Sequence, residues 1–486
     1  MSSPSDDDVV IPKMYSTIDE INRHLRHNDI TTSTVASAEE YDTSSSIKNK
    51  SHLFLHFDVN ETILLGDPAG GDSVHECVNK IIAKSAFVST SGIDNHHDDD
   101  DELQDDHPTR PRIKRSPSSG NICDTHQFEP THWWNGMSIN DCDSSTPPPP
   151  PLYTGWVIPP NTCPYYRTRY KVNAKKFTST VHGQVYRPLY DKLCLKMGLD
   201  RDPDDDDDGG ESSNVQQHQP TDVFKNFLPA FWQTLMYYFP STKTAVPKNE
   251  STQSVVGLVE AQSQRLPPPP KVTLVLRTFG LDLPRVAKAI SEFAQGNHPD
   301  YPTYTNEDLI LAEGDLYCSG WSYHKNGHDD KEEELVYSLH RPSDQGEKGT
   351  PVYSGDDDIL NFLQTKTIVG IQDNYPFWRE NNHAPWAGKP VWTNTSVHGH
   401  DHHHVLLDDN IHNDPSDGAG GIRVPVFAEN NGKGGISNNY NRYESLHGQE
   451  ALDLHGRHLI RVPTIRPSLE DDWFIRQIEK ARWLAR

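Results

Sequence analysis

The stretch SHLFLHFDVNETILLG, residues 51–66, carries the residue types that could do chemistry. Leu53 to His56 form a short, largely apolar run ending in Phe57, and Asp58 stands where a buried strand should surface. Asn60 and Thr62 follow at two-residue spacing. A carboxylate at the carboxyl end of a parallel strand lies where open α/β sheets bind their ligands. Alternate strand residues share a face, so the Asp58 carboxylate, the Asn60 side chain and the Thr62 hydroxyl can converge. His56 and Glu61, the other ionisable neighbours, are expected to point away. Two more polar sites close apolar runs further on: Thr278 ends KVTLVLRT, and Asp408 with Asp409 ends VLLDD. Each has a plainer reading. Asp and Asn are turn residues, and Thr278 could cap the next helix.

The order of these sites resembles the motifs of the haloacid dehalogenase-like (HAD-like) superfamily, and that order, joined by Lys389 in WAGKPVW, which alone could be an ordinary loop lysine, favours an active site. The superfamily's first motif usually reads DxDx[TV] and here reads DVNET; Thr278 matches the second, Lys389 the third, and the acid pair Asp408 and Asp409 the fourth. The resemblance covers residues 51–90 and 223 to about 430, broken by inserts. It implies an α/β fold, a Rossmannoid, doubly wound and mainly parallel sheet with a long insert where the superfamily often places its cap. It also implies hydrolysis of a small phosphorylated substrate. Asp58 would be nucleophile and metal ligand, forming an aspartyl-phosphate. Mg2+ would be held by Asp58, the backbone carbonyl of Asn60, and Asp408 or Asp409, and Thr278 and Lys389 would hold the phosphoryl group. The physics agrees: a carboxylate attacking an anionic phosphate needs a divalent cation and fixed positive donors, and magnesium takes oxygen ligands. A rival for the acid pair is the loop Gly355–Asp358, ranked second because the strand before it would be short.

Asparagine at position 60 is the departure that matters. An amide cannot donate a proton to a leaving alkoxide, and such general acid catalysis is worth about 10²–10⁴-fold. Two alternatives follow. One is the metal-free carbon–halogen branch of the superfamily, some members of which carry an FDVNET-like motif and release a halide that needs no proton; it leaves the acid pair without a purpose. The other is a catalytically degenerate binding or scaffold protein that keeps the fold.

The elements that must position these residues are readable from hydrophobic period. Val74, Val78, Ile81 and Ile82 fit one face of a helix. The spacing predicts further helices around residues 185–197, over VFKNFLPAFWQTLMYYF, over LDLPRVAKAISEFAQG, and over the terminal EDDWFIRQIEKARWL. Strands are expected at 272–276, 367–371, 405–407, 422–426 and 459–462. Strands alternating with helices place the chain among α/β proteins. The organisation expected is a disordered arm at 1–50, a core at 51–90 and 223–486 interrupted by a disordered insert at 241–270, and an insert at 91–222. Residues 152–199 are its candidate cap, and 91–151 read as almost structureless.

Composition sets the remaining bounds. In 486 residues only 34% are hydrophobic and 37 are proline, so much of the length reads as insert rather than core. Asp and Glu outnumber Lys and Arg by 70 to 45, a net charge of -25, which argues against a nucleic-acid partner. No apolar run reaches membrane-spanning length. Six cysteines without a CxxC pair suggest a reducing compartment, and MSSPSDDDVV lacks the pattern of a secretory leader. Cytoplasm is the expectation. The five prolines Pro147 to Pro151 favour an extended spacer, read as an inert linker ahead of an SH3/WW-type docking segment. The histidine-rich run His398 to His404 reads as a low-complexity loop before a strand rather than a metal site.

Overall fold

The computed structural model describes residues 52–66, 71–90, 129–141, 147–151, 158–167, 171–199, 223–242, 271–325, 333–342, 351–393, 402–411, 421–427, 440–446, 450–451 and 453–485. The expected arm at 1–50 and the acid runs lie outside them, as does the insert expected at 241–270 except for Ser241 and Thr242, which donate to the Thr305 carbonyl. In chain order the strands are β1 (His52–Asp58), β2 (Ala86–Ser89), β3 (His132–Trp133), β4 (Thr162–Pro164), β5 (Val272–Thr278), β6 (Leu316–Lys325), β7 (Glu333–His340), β8 (Pro351–Ser354), β9 (Ile368–Gln372), β10 (Pro390–Trp392), β11 (His402–Asp408), β12 (Gly421–Phe427), β13 (Tyr440–Leu446) and β14 (Leu459–Arg461).

The fold is mixed α/β around an eight-stranded sheet of order β14-β11-β1-β5-β9-β6-β7-β8. The first six strands are parallel, and β7 and β8 extend the sheet antiparallel. β1 lies between β11 and β5, with Leu55 beside both Val405 and Leu274. Both β1 and β5 are buried along their whole length, which is why they read as continuous apolar runs rather than alternating ones. Leu53, Leu55 and Phe57 join one core, with helices Val74–Ala83, Pro229–Tyr238, Leu283–Ala294 and Trp473–Leu484. Phe54 faces a second core on the opposite side, with helix Asp356–Gln364 and Trp392 of the small sheet β10-β12-β13. The pleat therefore sends His56 and Asp58 toward this second side. No helix among the described residues is long and apolar enough to cross a membrane.

Local chemistry explains the element ends. Ser73 and Glu76 close a capping box at the start of helix Val74–Ala83. The helix expected from Phe224 instead begins at Pro229, where proline's missing N–H costs nothing. Asn226 before it has φ of 72°, and Phe224 lies in the preceding turn. The strand expected at 422–426 forms as β12, but in the small sheet rather than the large one. Of the antiparallel edge β6–β7–β8, only the short strand before the rival loop, β8, has a counterpart in the expectation.

Three composition readings are corrected. Residues 129–141 and 147–151 are ordered parts of the body: β3 pairs with β2, and Trp133 is buried edge-on against Tyr186 at 5.5 Å. The proline run is no free spacer, since Pro149 and Pro151 are buried and the Pro150 carbonyl accepts from Trp134 Nε1 at 2.6 Å. His402, His403 and His404 are not loop but the first three residues of β11. In the candidate cap, Tyr165, Phe177, Tyr186, Tyr190 and Leu193 join the same core as β1. Asn79 Oδ1 accepts from both N and Oγ1 of Thr178 at 2.8 Å, fastening that segment to helix Val74–Ala83.

Candidate functional site

The ends of β1 and β11, neighbours in the sheet, place Asp58 and Asp408 side by side, with Asp409 one residue on. Each of the three offers a carboxylate oxygen within 4.8 Å of the others, and all are buried. Lys389, arriving just before β10, bridges Asp58 and Asp408, its Nζ 2.8 Å from Asp408 Oδ2 and in direct contact with Asp58 Oδ1. Thr62 ties the two strands together: its hydroxyl donates to Asp58 Oδ2 at 3.4 Å and accepts from the Asp409 backbone N–H at 3.1 Å. Asn60 turns the other way, its Nδ2 donating to Asp282 Oδ2 at 3.2 Å, while Asn60 Oδ1 is buried with no partner among the described residues. Thr278 is buried at the end of β5, where its hydroxyl accepts from the Gly280 N–H at 2.9 Å. Gly280 is packed so closely that a Cβ there would lie 2.8 Å from Asp282 Oδ2, 3.2 Å from Asn60 Nδ2 and 3.4 Å from Thr278 Oγ1. All seven sequence-selected residues therefore meet at one end of the sheet.

The rival acidic loop does not reach this place. β8 is the far edge of the sheet, Asp356 accepts from Trp392 Nε1 and Arg423, and Asp358 accepts from the Ser354 N–H.

The electrostatics are unbalanced. Lys84, at the end of helix Val74–Ala83, contacts Asp409 at 2.8 Å and Glu61 at 2.9 Å, and Lys80 contacts Glu61 from the other side. Four carboxylates, Asp58, Asp408, Asp409 and Glu61, thus face three ammonium groups, Lys389, Lys84 and Lys80. Burial pushes the Asp58 carboxyl well above its ordinary value despite Lys389, and the Asp408 and Asp409 charges add to it. Burial likewise pushes Asp409 up to about 6. Burial also acts upward on Glu61, but Lys84 and Lys80 outweigh it and hold that carboxyl down at about 2. Three convergent carboxylates with too little positive charge are a hard-oxygen donor set that suits a small divalent cation.

Behind the carboxylates runs a second buried network. Arg277, in the middle of the sheet, meets Asp373 through Nε at 2.9 Å and donates to the Pro390 carbonyl at 3.0 Å, fixing the strand that follows Lys389. Its Nη1 is 3.5 Å from His56 Nδ1, and His56 Nε2 bonds His404 Nδ1 at 2.9 Å. His56 therefore shares the Asp58 face, contrary to expectation, although its ring nitrogens are engaged elsewhere. Burial holds His56 and His404 well below the ordinary histidine value, with Arg277 adding to the effect on His56, and it holds His458 at about 3. Rings that stay neutral in the fold take up protons only on unfolding. Their contribution is complete above pH ~6.5 and is lost as pH falls, by at most ~1.4 kcal/mol per pH unit for each ring. The raised Asp58 and Asp409 carboxyls act in the opposite direction over the same range, so the test is a comparison: between pH 7.5 and 5 the stability lost in urea unfolding should be smaller in His458→Gln than in the parent. An unchanged loss would mean that protons reach that ring in the folded protein.

Beside the site Phe279 stacks on Trp378 with ring centroids 4.6 Å apart and planes 8° apart, and Lys389 Nζ lies 4.9 Å above the Phe279 ring. Comparisons with protein-family models, with curated proteins and with solved structures gave no match. The site therefore speaks through its own chemistry.

Sequence reasoning missed Lys84, Glu61, Arg277, Asp373 and Asp282 as parts of this assembly. Two of them left a signal. Arg277 is a charge inside an otherwise apolar strand, and Asp373 follows the apolar run TIVGIQ as Asp58 follows its own. Lys84 and Glu61 left none, because their pairing joins a helix end to a turn.

Proposed function

We propose that the protein hydrolyses phosphate monoesters through Asp58 in a magnesium-dependent reaction, as its resemblance to HAD-like hydrolases suggests. The observation that carries this reading is the convergence of Asp58, Asp408 and Asp409 on one point, with Lys389 across the first two. Asp58, Asp408 and Asp409 would hold Mg2+, which when bound supplies positive charge against which two anions can approach. Asp58 Oδ attacks phosphorus, the bond to the ester oxygen breaks, and its electron pair leaves on that oxygen, which takes its proton from solvent. Water then attacks phosphorus, releasing phosphate and restoring the carboxylate. Thr62 orients Asp58, and Lys389 and the Thr278 end of β5 face the transferring group with positive charge and hydrogen-bonding capacity. A buried carboxylate with raised proton affinity, paired to an ammonium, is a frequent mark of a working site.

The first test is turnover of an aryl phosphate by the full chain with and without magnesium. Magnesium-dependent release of phosphate is expected; none from folded protein would sink the reading. One observation favours a second reading. Asn60 has no proton to give, as suits metal-free cleavage of a carbon–halogen bond, and halide release from a 2-haloacid would reveal it. Restoring the acid discriminates further. Asn60→Asp would set a carboxyl about one hydrogen bond from Asp282, and two carboxyls so close share a proton. That proton is what an alkoxide leaving group needs, so turnover of alkyl phosphates should rise by ~10²-fold. No rise would mean that position 60 does not face the leaving group.

A further inference from the structure

Many aromatic contacts among the described residues are sealed in the two cores; those beside the carboxylate site are partly exposed. Phe279 directly follows Thr278, and its half-buried ring stacks on half-buried Trp378. Tyr375, 40% exposed, stands edge-on to both, at 5.9 Å from Phe279 and 6.1 Å from Trp378. Exposed His383 closes the row edge-on to Trp378 at 4.5 Å. The row is continuous with the reacting end of the site, because the ammonium above Phe279 belongs to the same Lys389 that holds Asp58.

The backbone behind the row is strained. Asn382 and His383 are consecutive non-glycine residues with φ of 54° and 58°. One asparagine in this conformation is an ordinary way to end a helix. A second, at histidine, goes beyond what helix termination needs, and such conformations cluster where function requires a side chain in one place. Hydrogen bonds from the Asn382 and His383 N–H groups to the Arg379 and Trp378 carbonyls, at 3.1 and 2.9 Å, hold it.

We propose that Phe279, Trp378, Tyr375 and His383 form the subsite for the leaving group, and that the substrate is the phosphate monoester of a planar aromatic alcohol. The proposal rests on the phosphatase reading of Asp58 and adds the substrate class. Two independent observations agree on that class. Flat, half-exposed rings favour a flat partner through offset or edge-on contact. Asn60, unable to donate a proton, excludes efficient expulsion of an alkoxide but not of a phenolate, whose conjugate acid ionises near pKa ~10. In this reaction the Asp58 Oδ–phosphorus bond forms, the phosphorus–aryl oxygen bond breaks, and the phenolate takes its proton from solvent. Water attack on phosphorus then breaks the Oδ–phosphorus bond, with the water proton passing to solvent.

The test uses the full chain with magnesium and has a binding arm and a turnover arm. Calorimetry compares a non-hydrolysable naphthyl phosphonate with methylphosphonate, and kinetics compares naphthyl phosphate with glycerol phosphate. We expect naphthyl phosphonate to bind at least about tenfold tighter, and naphthyl phosphate to exceed glycerol phosphate about 100-fold in kcat/KM. Trp378→Ala should weaken naphthyl phosphonate about tenfold and methylphosphonate by less than twofold. Tyr375→Ala, at an exposed position where folding is not at stake, should move the same ratio in the same direction. Equal affinity for the two phosphonates, or equal losses in the variants, would overturn the subsite. Aryl-selective binding that Trp378→Ala abolishes, with no ester turned over, would overturn the phosphatase reading and the substrate class with it.

Discussion

Replacing Asp58 by asparagine should abolish magnesium-dependent turnover, by about 10⁴-fold or more, without destabilising the protein. The loss follows from its place as the attacking group, since removing a nucleophile costs on that scale or more. The tolerance follows from the imbalance of charge. Burial raises the Asp58 carboxyl well above 3.8, so between the unfolded value and the raised one the native state binds more protons than the unfolded state. A group of this kind lowers stability as pH rises through that window, and Asp409, raised to about 6, acts in the same direction. Asparagine removes the Asp58 part of this loss while Lys389 keeps Asp408. At neutral pH the variant should melt as high as the parent or higher, with a flatter dependence on pH above 4. Surviving turnover would move the nucleophile elsewhere, and a large drop in melting temperature would mean that Asp58 is chiefly structural.

Lys389→Met should do the opposite to the fold. It removes the ammonium that bridges Asp58 and Asp408 and leaves both acids buried. Breaking a buried ion pair from one side costs about 3–5 kcal/mol because an uncompensated charge stays behind. Turnover should fall as well, by about 10²–10³-fold, since a fixed positive donor is lost. Magnesium should restore part of the stability, because a ligand that binds only the folded state stabilises it by mass action. Urea unfolding with and without magnesium gives the answer. The expected pattern is a larger magnesium increment in the variant than in the parent. A destabilisation under about 1 kcal/mol, or no magnesium increment in either protein, would remove the case for a cation at the three carboxylates.

These residues could be found in the sequence because the strands that carry them are buried on both faces. In β1, β5 and β11 a polar residue ending an apolar run is conspicuous, and Asp58, Thr278 and Asp408 each end one. Lys389 came only from the resemblance, which calls for a lysine ahead of the acid pair. What stayed hidden was set by pairing between distant segments. Glu61 and Lys84 are unremarkable until the helix end meets the turn after β1. The edge strands β6–β8 are partly exposed, so they show neither a continuous apolar run nor a helical period. Residues 129–141 contribute single buried side chains such as Trp133 and Ile139 from a polar background, and a composition average erases them. His403 and His404 looked solvated by the same averaging. Their neighbours absorb the polarity: His403 Nε2 bonds the Arg457 carbonyl at 2.9 Å, and His404 bonds His56.

The position of β1 in the sheet has a consequence for how the protein is made. Its partners are β5, beginning at Val272, and β11, beginning at His402. At about 5–20 residues per second, a ribosome that has released β1 needs roughly 10–40 s more to deliver the first partner and about 20–70 s to deliver the second. Until β5 is delivered HLFLHF has two unpaired edges, and until β11 arrives it keeps one, which is the profile of a segment prone to join other chains. The carboxylate site cannot exist before β11 arrives, so its chemistry is postponed long after the residue that would attack has been synthesised.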